Sequence, residues 1–211
     1  IRWNADEFIV DSLGGMRQLV RPNLDGPHQC HNAGVALAAL ERLEGFIISD
    51  EAINNGLSKI EWPARLQKIQ SGYLLAILGR GSTLWLDGGH NAGAAEAIGV
   101  WASECGSMPL HLVLGMINTK DPKSFLNPLK KYINSLHTVT IAGEAASWTA
   151  NELCAHAQAV GIDATPSVDV AGALRNIEKM KTSPARVLIA GSLYLAGKVL
   201  AESGFSKTDA T

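Results

Sequence analysis

The chain has 211 residues, of which 46% are hydrophobic, and its 18 basic and 20 acidic residues give a formal net charge of −2 at pH 7. This length and composition can bury a substantial core, and the balanced charge forms no basic stripe of the kind that follows a nucleic-acid backbone. Apolar runs stay well short of the roughly 20 residues that cross a bilayer, so we predict a globular cytoplasmic protein whose partners include neither nucleic acid nor membrane.

The three cysteines, Cys30, Cys105 and Cys154, are widely separated and form no Cys-x-x-Cys pair. This spacing favours reduced core thiols over a disulfide framework. The segment His28-Gln29-Cys30-His31 lacks the second ligand cluster that a tetrahedral zinc site needs. We therefore predict no metal site in this chain.

Residues 1–62 are predicted to contain short strands followed by two helices. Before residue 25, apolar segments are separated by turn signals such as Gly14-Gly15, which is typical of the last strands of a sheet. One alanine- and leucine-rich helix is predicted from Asn32, and another from Asp50 to Leu57 with Asp50 as its cap. Because apolar segments follow Ile1 at once, we expect residues 1–62 to be a remnant of a larger domain.

The pattern changes at Trp62-Pro63, where proline disfavours helix at the preceding residue and an extended hinge is predicted. Beyond it, apolar strands alternate with longer helices, which predicts a mainly parallel sheet covered on both faces. The predicted strands are 73–78, 83–86, 110–114, 137–142 and 186–190. The predicted helices are 91–104, 122–133, 149–160, 170–180 and 192–201. The first two strands are expected to pair as an antiparallel hairpin through Gly79-Arg80-Gly81.

Candidate functional residues follow two predicted strands. Asp87-Gly88-Gly89-His90-Asn91 comes directly after the strand 83–86, and Gly191-Ser192 follows the strand 186–190. In open α/β sheets, ligands bind beyond the carboxyl ends of the strands. Asp87 can accept hydrogen bonds from a ribose while the glycines let backbone approach a ligand. The alternative is that Asp87, Asn91 and Ser192 satisfy turn and cap amides.

Other candidates are single residues with equally plain alternatives. Arg65 follows the hinge proline, where a guanidinium can bind a phosphate or carboxylate or simply cover the surface. Asp121 is suited to cap a helix, and Lys120 beside it can reach an anion. Asn32 can offer a donor and an acceptor to the edge of an adenine from a helix start.

The order of these motifs resembles the C-terminal half of folylpolyglutamate synthase/dihydrofolate synthase, in the Mur ligase superfamily, from about Leu24 to Leu195. The motifs are His28-Gln29, Asn32-Ala33, Trp62-Pro63-Ala64-Arg65-Leu66-Gln67, Asp87-Gly88-Gly89-His90-Asn91, Lys120-Asp121 and Gly191-Ser192-Leu193-Tyr194. Two positions depart from the family's pattern. Ala64 stands in place of the hinge glycine, and Thr119 in place of the first acid of an Asp-Lys-Asp loop.

The resemblance implies that residues 63–211 form the Rossmann-like C-terminal domain and residues 1–62 the end of the central ATP-binding domain. It further implies a monomeric ligase that uses ATP and Mg²⁺ to add L-glutamate to dihydropteroate or to the γ-carboxylate of a folate through an acyl phosphate. In ATP binding, it implies that Asn32 contacts the adenine, Arg65 a phosphate and Asp87 the ribose. It also implies that His90 and Ser192 bind the incoming glutamate. Lys120 and Asp121 would contact the substrates from a loop.

The 211 residues contain no Gly-x-x-x-x-Gly-Lys-Ser/Thr phosphate loop, which such a ligase needs. We therefore expect this chain alone to be inactive, with the loop and most Mg²⁺ ligands further toward the N-terminus of a parent protein. Two alternatives stay open: a nucleotide-binding module without catalysis, and a Mur-type ligase of peptidoglycan synthesis. A nicotinamide-dependent dehydrogenase ranks last because Leu84 stands where the glycine fingerprint would need its third glycine.

Overall fold

The computed structural model describes residues 1–4, 7–12, 14–104 and 106–203. The chain divides into two compact units, Ile1–Pro63 and Ala64–Thr211. Cys30 and Cys154 are buried free thiols, and Cys105 lies outside the described residues. Within the described ranges, no helix is both long and apolar enough to cross a membrane.

The first unit pairs a small antiparallel sheet with two helices. The sheet has the order β1-β2-β3, formed by β1 (Arg2–Trp3), β2 (Phe8–Ser12) and β3 (Gly15–Leu19). The helices are α1 (Pro27–Leu40) and α2 (Asp50–Ser58). Phe8 and Val10 of β2 pack with Leu37 of α1 and Ile53 of α2 in the core of this unit.

Two predicted helix starts in this unit are wrong. The first helix begins five residues before Asn32, because Pro27 has the fixed φ that suits a first turn. The second helix is capped by Ser49, whose hydroxyl accepts the Ala52 N–H at 3.2 Å, and Asp50 is its first helical residue. Asp50 still favours the helix there, because an acid in the first turn complements the helix dipole.

The second unit is built on a six-stranded sheet with the order β4-β5-β9-β6-β7-β8. The strands are β4 (Gln67–Ile69), β5 (Thr83–Leu86), β6 (Leu110–Leu114), β7 (Ile133–Thr138), β8 (Ala164–Pro166) and β9 (Arg186–Ala190). The edge strand β4 runs antiparallel to β5, and all the other pairs are parallel. The helices are α3 (Tyr73–Ile77), α4 (Ala92–Glu104), α5 (Pro122–Leu129), α6 (Ala150–Ala159), α7 (Val170–Met180) and α8 (Leu193–Glu202).

Both faces of this sheet are covered, as the long apolar strands predict. Every residue of β6 and β9 is buried, because these strands lie in the middle of the sheet. One face packs against α3, α7 and α8, and the opposite face packs against α4, α5 and α6. The predicted Rossmann-like, mainly parallel sheet with helices on both faces is confirmed.

The predicted strand at 73–78 is wrong, and so is its hairpin with 83–86. Residues Tyr73–Ile77 form the short helix α3, and β5 pairs instead with β4. A short apolar run cannot be assigned to helix or strand by periodicity alone. Gly72 is the N-cap of this helix, with a φ of 104° that glycine adopts readily.

The region around β7 is shifted from its predicted position. The strand spans Ile133–Thr138 rather than 137–142, so α5 ends at Leu129. Val139 and Ile141 are apolar because they are buried beyond the strand end, in the core under α7 and α8. The edge strand β8 was not predicted, since its three residues end in a proline, which is tolerated only at a sheet edge.

Two histidines are buried in the sheet, on neighbouring strands. His111 Nδ1 lies 2.7 Å from Ser135 Oγ, and His137 Nδ1 lies 3.5 Å from Ser167 Oγ. Within the part of the chain that the structure describes, no hydrogen-bond partner reaches His137 Nε2. Burial lowers the pKa of both histidines below the usual value, with a further decrease at His111 from the charge of Lys181 and at His137 from His111.

This pair predicts that the second unit loses stability in mild acid. In the unfolded chain the histidines take up protons at a pKa of about 6.5, whereas in the folded unit their pKa is lower. The stabilisation from keeping them neutral is therefore fully present above about pH 6.5 and is lost as the pH falls below it. Between pH 7.5 and 5.5 we expect a loss of up to about 3 kcal/mol in the free energy of unfolding, the limit for two histidines that stay neutral in the fold. The carboxyls of Glu152 and Glu178, whose pKa values backbone hydrogen bonds lower from 4.5, titrate below this window.

This loss is measured by urea unfolding at each pH, with amide exchange in β6 and β9 as the readout for the second unit. His137→Leu removes the unpartnered nitrogen and is expected to reduce the pH dependence by about half, since one of two similar groups is removed. His31→Gln, in the first unit, is the matched control and is expected to leave the dependence of the second unit unchanged. An unaltered slope in His137→Leu would contradict the assignment.

Candidate functional site

Three parallel strands bring their following loops to one edge of the sheet. In the order β5-β9-β6, these loops begin at Asp87, Gly191 and Gly115. The loop after β9 leads to α8 on one face, whereas the loops after β5 and β6 lead to α4 and α5 on the opposite face. Neighbouring loops therefore diverge at β9, which makes this edge the topological switch point where α/β sheets bind ligands.

Asp87 fastens two segments of this edge to each other. The side chain is 4% exposed, and its carboxylate accepts the Gly89 N–H at 2.6 Å and the Leu66 N–H at 2.8 Å. Leu66 is 21 residues away in sequence, so this contact joins the turn before β4 to the loop after β5. The alternative in which Asp87 satisfies turn amides is thus present in the structure, and its predicted ribose contact stays a prediction.

The glycines of these loops let protein segments pack against one another. A Cβ on Gly88 would collide with the Leu193 side chain, and a Cβ on Gly191, whose φ is 111°, would lie 2.6 Å from the Gly115 carbonyl oxygen. The Gly191 N–H also donates to the Gly89 carbonyl at 3.0 Å. Protein atoms therefore lie close to Gly88, and to Gly89 beside it, where the sequence predicts the approach of a ligand.

His90 and Ser192 are brought into adjacent loops by this packing. His90 is half-buried, and its Nδ1 lies 3.1 Å from the Gly88 carbonyl oxygen. In the tautomer with the proton on Nδ1, the ring donates this bond and Nε2 carries a lone pair. Ser192 is buried, and its hydroxyl accepts the Tyr194 N–H at 3.1 Å as the N-cap of α8.

The N-termini of α4 and α8 therefore both begin at this edge. Asn91 Oδ1 accepts the Ala94 N–H at 2.9 Å, so Asn91 acts as a cap, as its alternative interpretation holds. Partial positive charge at two helix N-termini favours anions. The arrangement suits a carboxylate or phosphate, in keeping with the small anionic substrates that the motifs imply.

Arg65 is presented to the same edge by a tight turn. Both neighbours, Ala64 and Leu66, have left-handed backbone, with φ values of 58° and 44°. The Ala64 carbonyl accepts the Gly88 N–H at 2.8 Å, and Arg65 Nη1 lies 3.5 Å from the position that a Cβ on Gly88 would take. The structure thus brings Arg65 to the loop that carries Asp87 and His90.

The loop after β6 holds Lys120 and Asp121. Asp121 accepts the Lys123 and Ser124 N–H groups at 3.0 and 3.2 Å, so it caps α5 as the sequence indicates. The Lys120 carbonyl accepts the Trp148 indole N–H at 3.3 Å. The sequence did not predict this contact of Trp148. The only local signal for it is the presence of an aromatic residue in a loop after a strand.

Asn32 belongs to the first unit and lies inside α1 rather than at its start, which corrects its predicted position. Its side chain is exposed, and Nδ2 donates to Gln29 Oε1 at 3.1 Å. Its contact with adenine stays a prediction. Gln29 also lies 3.0 Å from His28 Nε2, which ties this polar group to α1.

The described residues contain no cluster of metal-binding side chains. Across residues 1–4, 7–12, 14–104 and 106–203, no three His, Cys, Asp or Glu side chains come together. Hard cations such as Mg²⁺ take oxygen ligands, usually one or two carboxylates with substrate phosphates. The described residues therefore hold no cluster that binds a metal ion by protein ligands alone, whereas the switch-point edge fits an anion.

Known proteins are similar to this chain in sequence and in fold. The dihydrofolate synthase/folylpolyglutamate synthase of Bacillus subtilis is 28% identical over 189 residues, which cover 85% of this chain and 40% of the relative. The E. coli FolC structure in complex with ADP is 25% identical, with a TM-score of 0.76 over 95% of this chain and 44% of that one.

A Yersinia pestis folylpolyglutamate synthase/dihydrofolate synthase structure with Mn, AMPPNP and L-glutamate bound is 26% identical, with a TM-score of 0.70 over 88% of this chain and 42% of that one. The chain thus spans less than half the length of these relatives. Residues 72–202 match the family described as dihydrofolate synthetase, C-terminal domain. Because this match covers more than half of the chain, the chain belongs to the dihydrofolate synthetase C-terminal domain family.

Proposed function

We propose that this chain is the C-terminal part of a cytoplasmic, monomeric, ATP-dependent ligase that adds L-glutamate to dihydropteroate, to the γ-carboxylate of a folate, or to both. The observation that carries the proposal is the convergence of Arg65, His90 and Ser192 at the switch point of the sheet. The relatives that bind ADP, AMPPNP and L-glutamate support it.

The proposed chemistry has two steps. ATP first phosphorylates the acceptor carboxylate, which gives an acyl phosphate and ADP. The glutamate amine then attacks the acyl carbon, a C–N bond forms, the amine loses a proton and phosphate leaves. Since several anions must meet, the main task of the protein is to position them and to stabilise their charge.

Each residue has a role that its surroundings suit. The Arg65 guanidinium binds an ATP phosphate, because its planar donors match phosphate oxygens. His90 and Ser192 bind the incoming glutamate beside the α8 N-terminus, and the loop of Lys120 and Asp121 contacts the substrates. Most ligands of the Mg²⁺ that accompanies ATP lie outside this chain, in the part of the longer protein that carries the phosphate loop.

The test compares this chain with the natural protein that contains it. We expect the longer protein to carry Gly-x-x-x-x-Gly-Lys-Ser/Thr in a strand-to-helix context and to release ADP when given ATP, L-glutamate and dihydropteroate or a reduced folate. The 211-residue chain alone is expected to release none, because it has no phosphate loop.

Three outcomes would contradict parts of this proposal. ATP-dependent glutamate addition by the purified 211-residue chain would overturn the expected inactivity. Turnover of a peptidoglycan precursor in place of the folate substrates would assign the chain to another Mur-type ligase. Nucleotide binding by the longer protein without turnover of any acceptor would leave a binding module.

A further inference from the structure

The turn that carries Arg65 is strained on both sides. Ala64 and Leu66 have φ values of 58° and 44°, in the left-handed region where a Cβ crowds the backbone. Both are nearly fully buried, at 2% and 1% exposure. Because such backbone persists only where its surroundings hold it, the contacts of this turn decide where Arg65 lies.

Three hydrogen bonds hold the turn, and one of them comes from a side chain without an assigned role. The Ala64 N–H donates to Gln67 Oε1 at 2.9 Å, across the turn itself. The Ala64 carbonyl accepts the Gly88 N–H, and the Leu66 N–H donates to Asp87. The turn is thus fastened once by the strand that follows it and twice by the loop after β5.

Gln67 connects the turn to the sheet through its side chain and its backbone. It is the first residue of β4 and pairs with Leu86, the last residue of β5. Its backbone therefore has a fixed position beside Asp87, and its side chain reaches back to the buried Ala64 N–H. Without that acceptor the amide is buried and unsatisfied, which favours a different conformation of the turn.

We propose that Gln67 is a positioning residue for Arg65, which it holds in place through the left-handed turn at Ala64–Leu66. The proposal rests on the proposed function, in which Arg65 binds an ATP phosphate. Gln67 itself touches no substrate in this scheme. Its contribution is to fix the guanidinium before ATP arrives, so that binding does not have to order the turn.

The experiment is a double-mutant cycle in the longer ligase. Gln67→Met keeps the length of the side chain and removes the acceptor, and we expect kcat/KM for ATP to fall about tenfold. In an Arg65→Met background the same change is expected to cost less than twofold, because no guanidinium is left to position. Gln70→Met, at an exposed glutamine just after β4, is the matched control and is expected to change neither value.

A general loss of stability in Gln67→Met would affect activity differently from a loss of the Arg65 position. It would lower activity by the same factor in both backgrounds, and that result would overturn the proposal. Equal activity of Gln67→Met and the unaltered ligase would also overturn it.

A second measurement on the 211-residue chain does not depend on ligase activity. We expect Gln67→Met to accelerate amide exchange at Ala64 and to shift the Arg65 Nε–Hε signal, and Gln70→Met to do neither. Unchanged exchange and an unchanged signal would contradict the positioning role. Absence of ligation by the unaltered longer protein would contradict the proposed function alone, and the amide exchange would still decide the role of Gln67.

Discussion

Asp87→Ala is expected to lower the free energy of unfolding of the Ala64–Thr211 unit by about 2–4 kcal/mol, since each buried amide left without its partner costs about 1–3 kcal/mol. The carboxylate is 4% exposed and accepts the Leu66 and Gly89 N–H groups. Alanine leaves both amides buried. The same substitution is expected to raise the KM for ATP of the longer ligase, because the turn that presents Arg65 loses a fastening.

Asp121→Ala is the matched control for this prediction. Asp121 also accepts two backbone amides, but it is an exposed helix cap, so its loss is expected to cost about 1 kcal/mol. Asp87→Asn keeps one acceptor oxygen and is expected to fall between Asp87→Ala and the unaltered chain. Urea unfolding gives the three values, and equal losses at positions 87 and 121 would show that burial of the Asp87 contacts adds nothing.

The sequence predicts the parts of the fold that depend on local pattern. The strands β6 and β9 and the helix α7 lie at their predicted residues, because continuous apolar runs and a 3.6-residue period identify them. The failure at 73–78 has the opposite cause, since a short apolar run suits a helix as well as a strand. In the structure, Leu74 of this helix is buried in the same core as α7, which is a tertiary contact that the local sequence does not show.

Only the local contacts of the candidate site could be predicted from the sequence. The bond from the Gly89 N–H to Asp87 spans two residues, and turn chemistry of that kind can be anticipated. The bond from the Leu66 N–H spans 21 residues and depends on how β4 pairs with β5. No local pattern shows that pairing, so the joint role of Asp87 and Gln67 in holding one turn became visible only in the structure.

Arg186→Met is expected to destabilise the second unit by about 3 kcal/mol. Arg186 is 6% exposed at the start of β9, and its guanidinium donates to the carbonyls of Ala102 and Met108 at 3.0–3.5 Å. It also lies 5.3 Å from the Trp101 ring centroid. Methionine fills much of the volume but leaves both carbonyls without the charged donor, and hydrogen bonds to charged groups contribute about 1.5–3 kcal/mol each.

The cation also stabilises the end of a helix. Ala102 lies in the last turn of α4, where carbonyl groups have no partner inside the helix and the dipole is negative. Arg186→Lys keeps the charge but loses the planar fork, so it is expected to recover about half of the loss. Arg175→Met, at an exposed arginine that donates to the Tyr73 hydroxyl, is the control and is expected to cost less than about 1 kcal/mol.

The two ends of β9 separate this effect from the chemistry of the site. Arg186 begins the strand and Ser192 follows its end, so at roughly 3.3 Å per residue they lie about 20 Å apart along the chain. Arg186→Met should therefore lower the midpoint of urea unfolding while the folded ligase keeps its KM for ATP. A raised KM at a temperature where the variant is fully folded would mean that β9 transmits the loss to the loops after β5 and β9, and that the switch-point edge depends on how the strand is anchored at its other end.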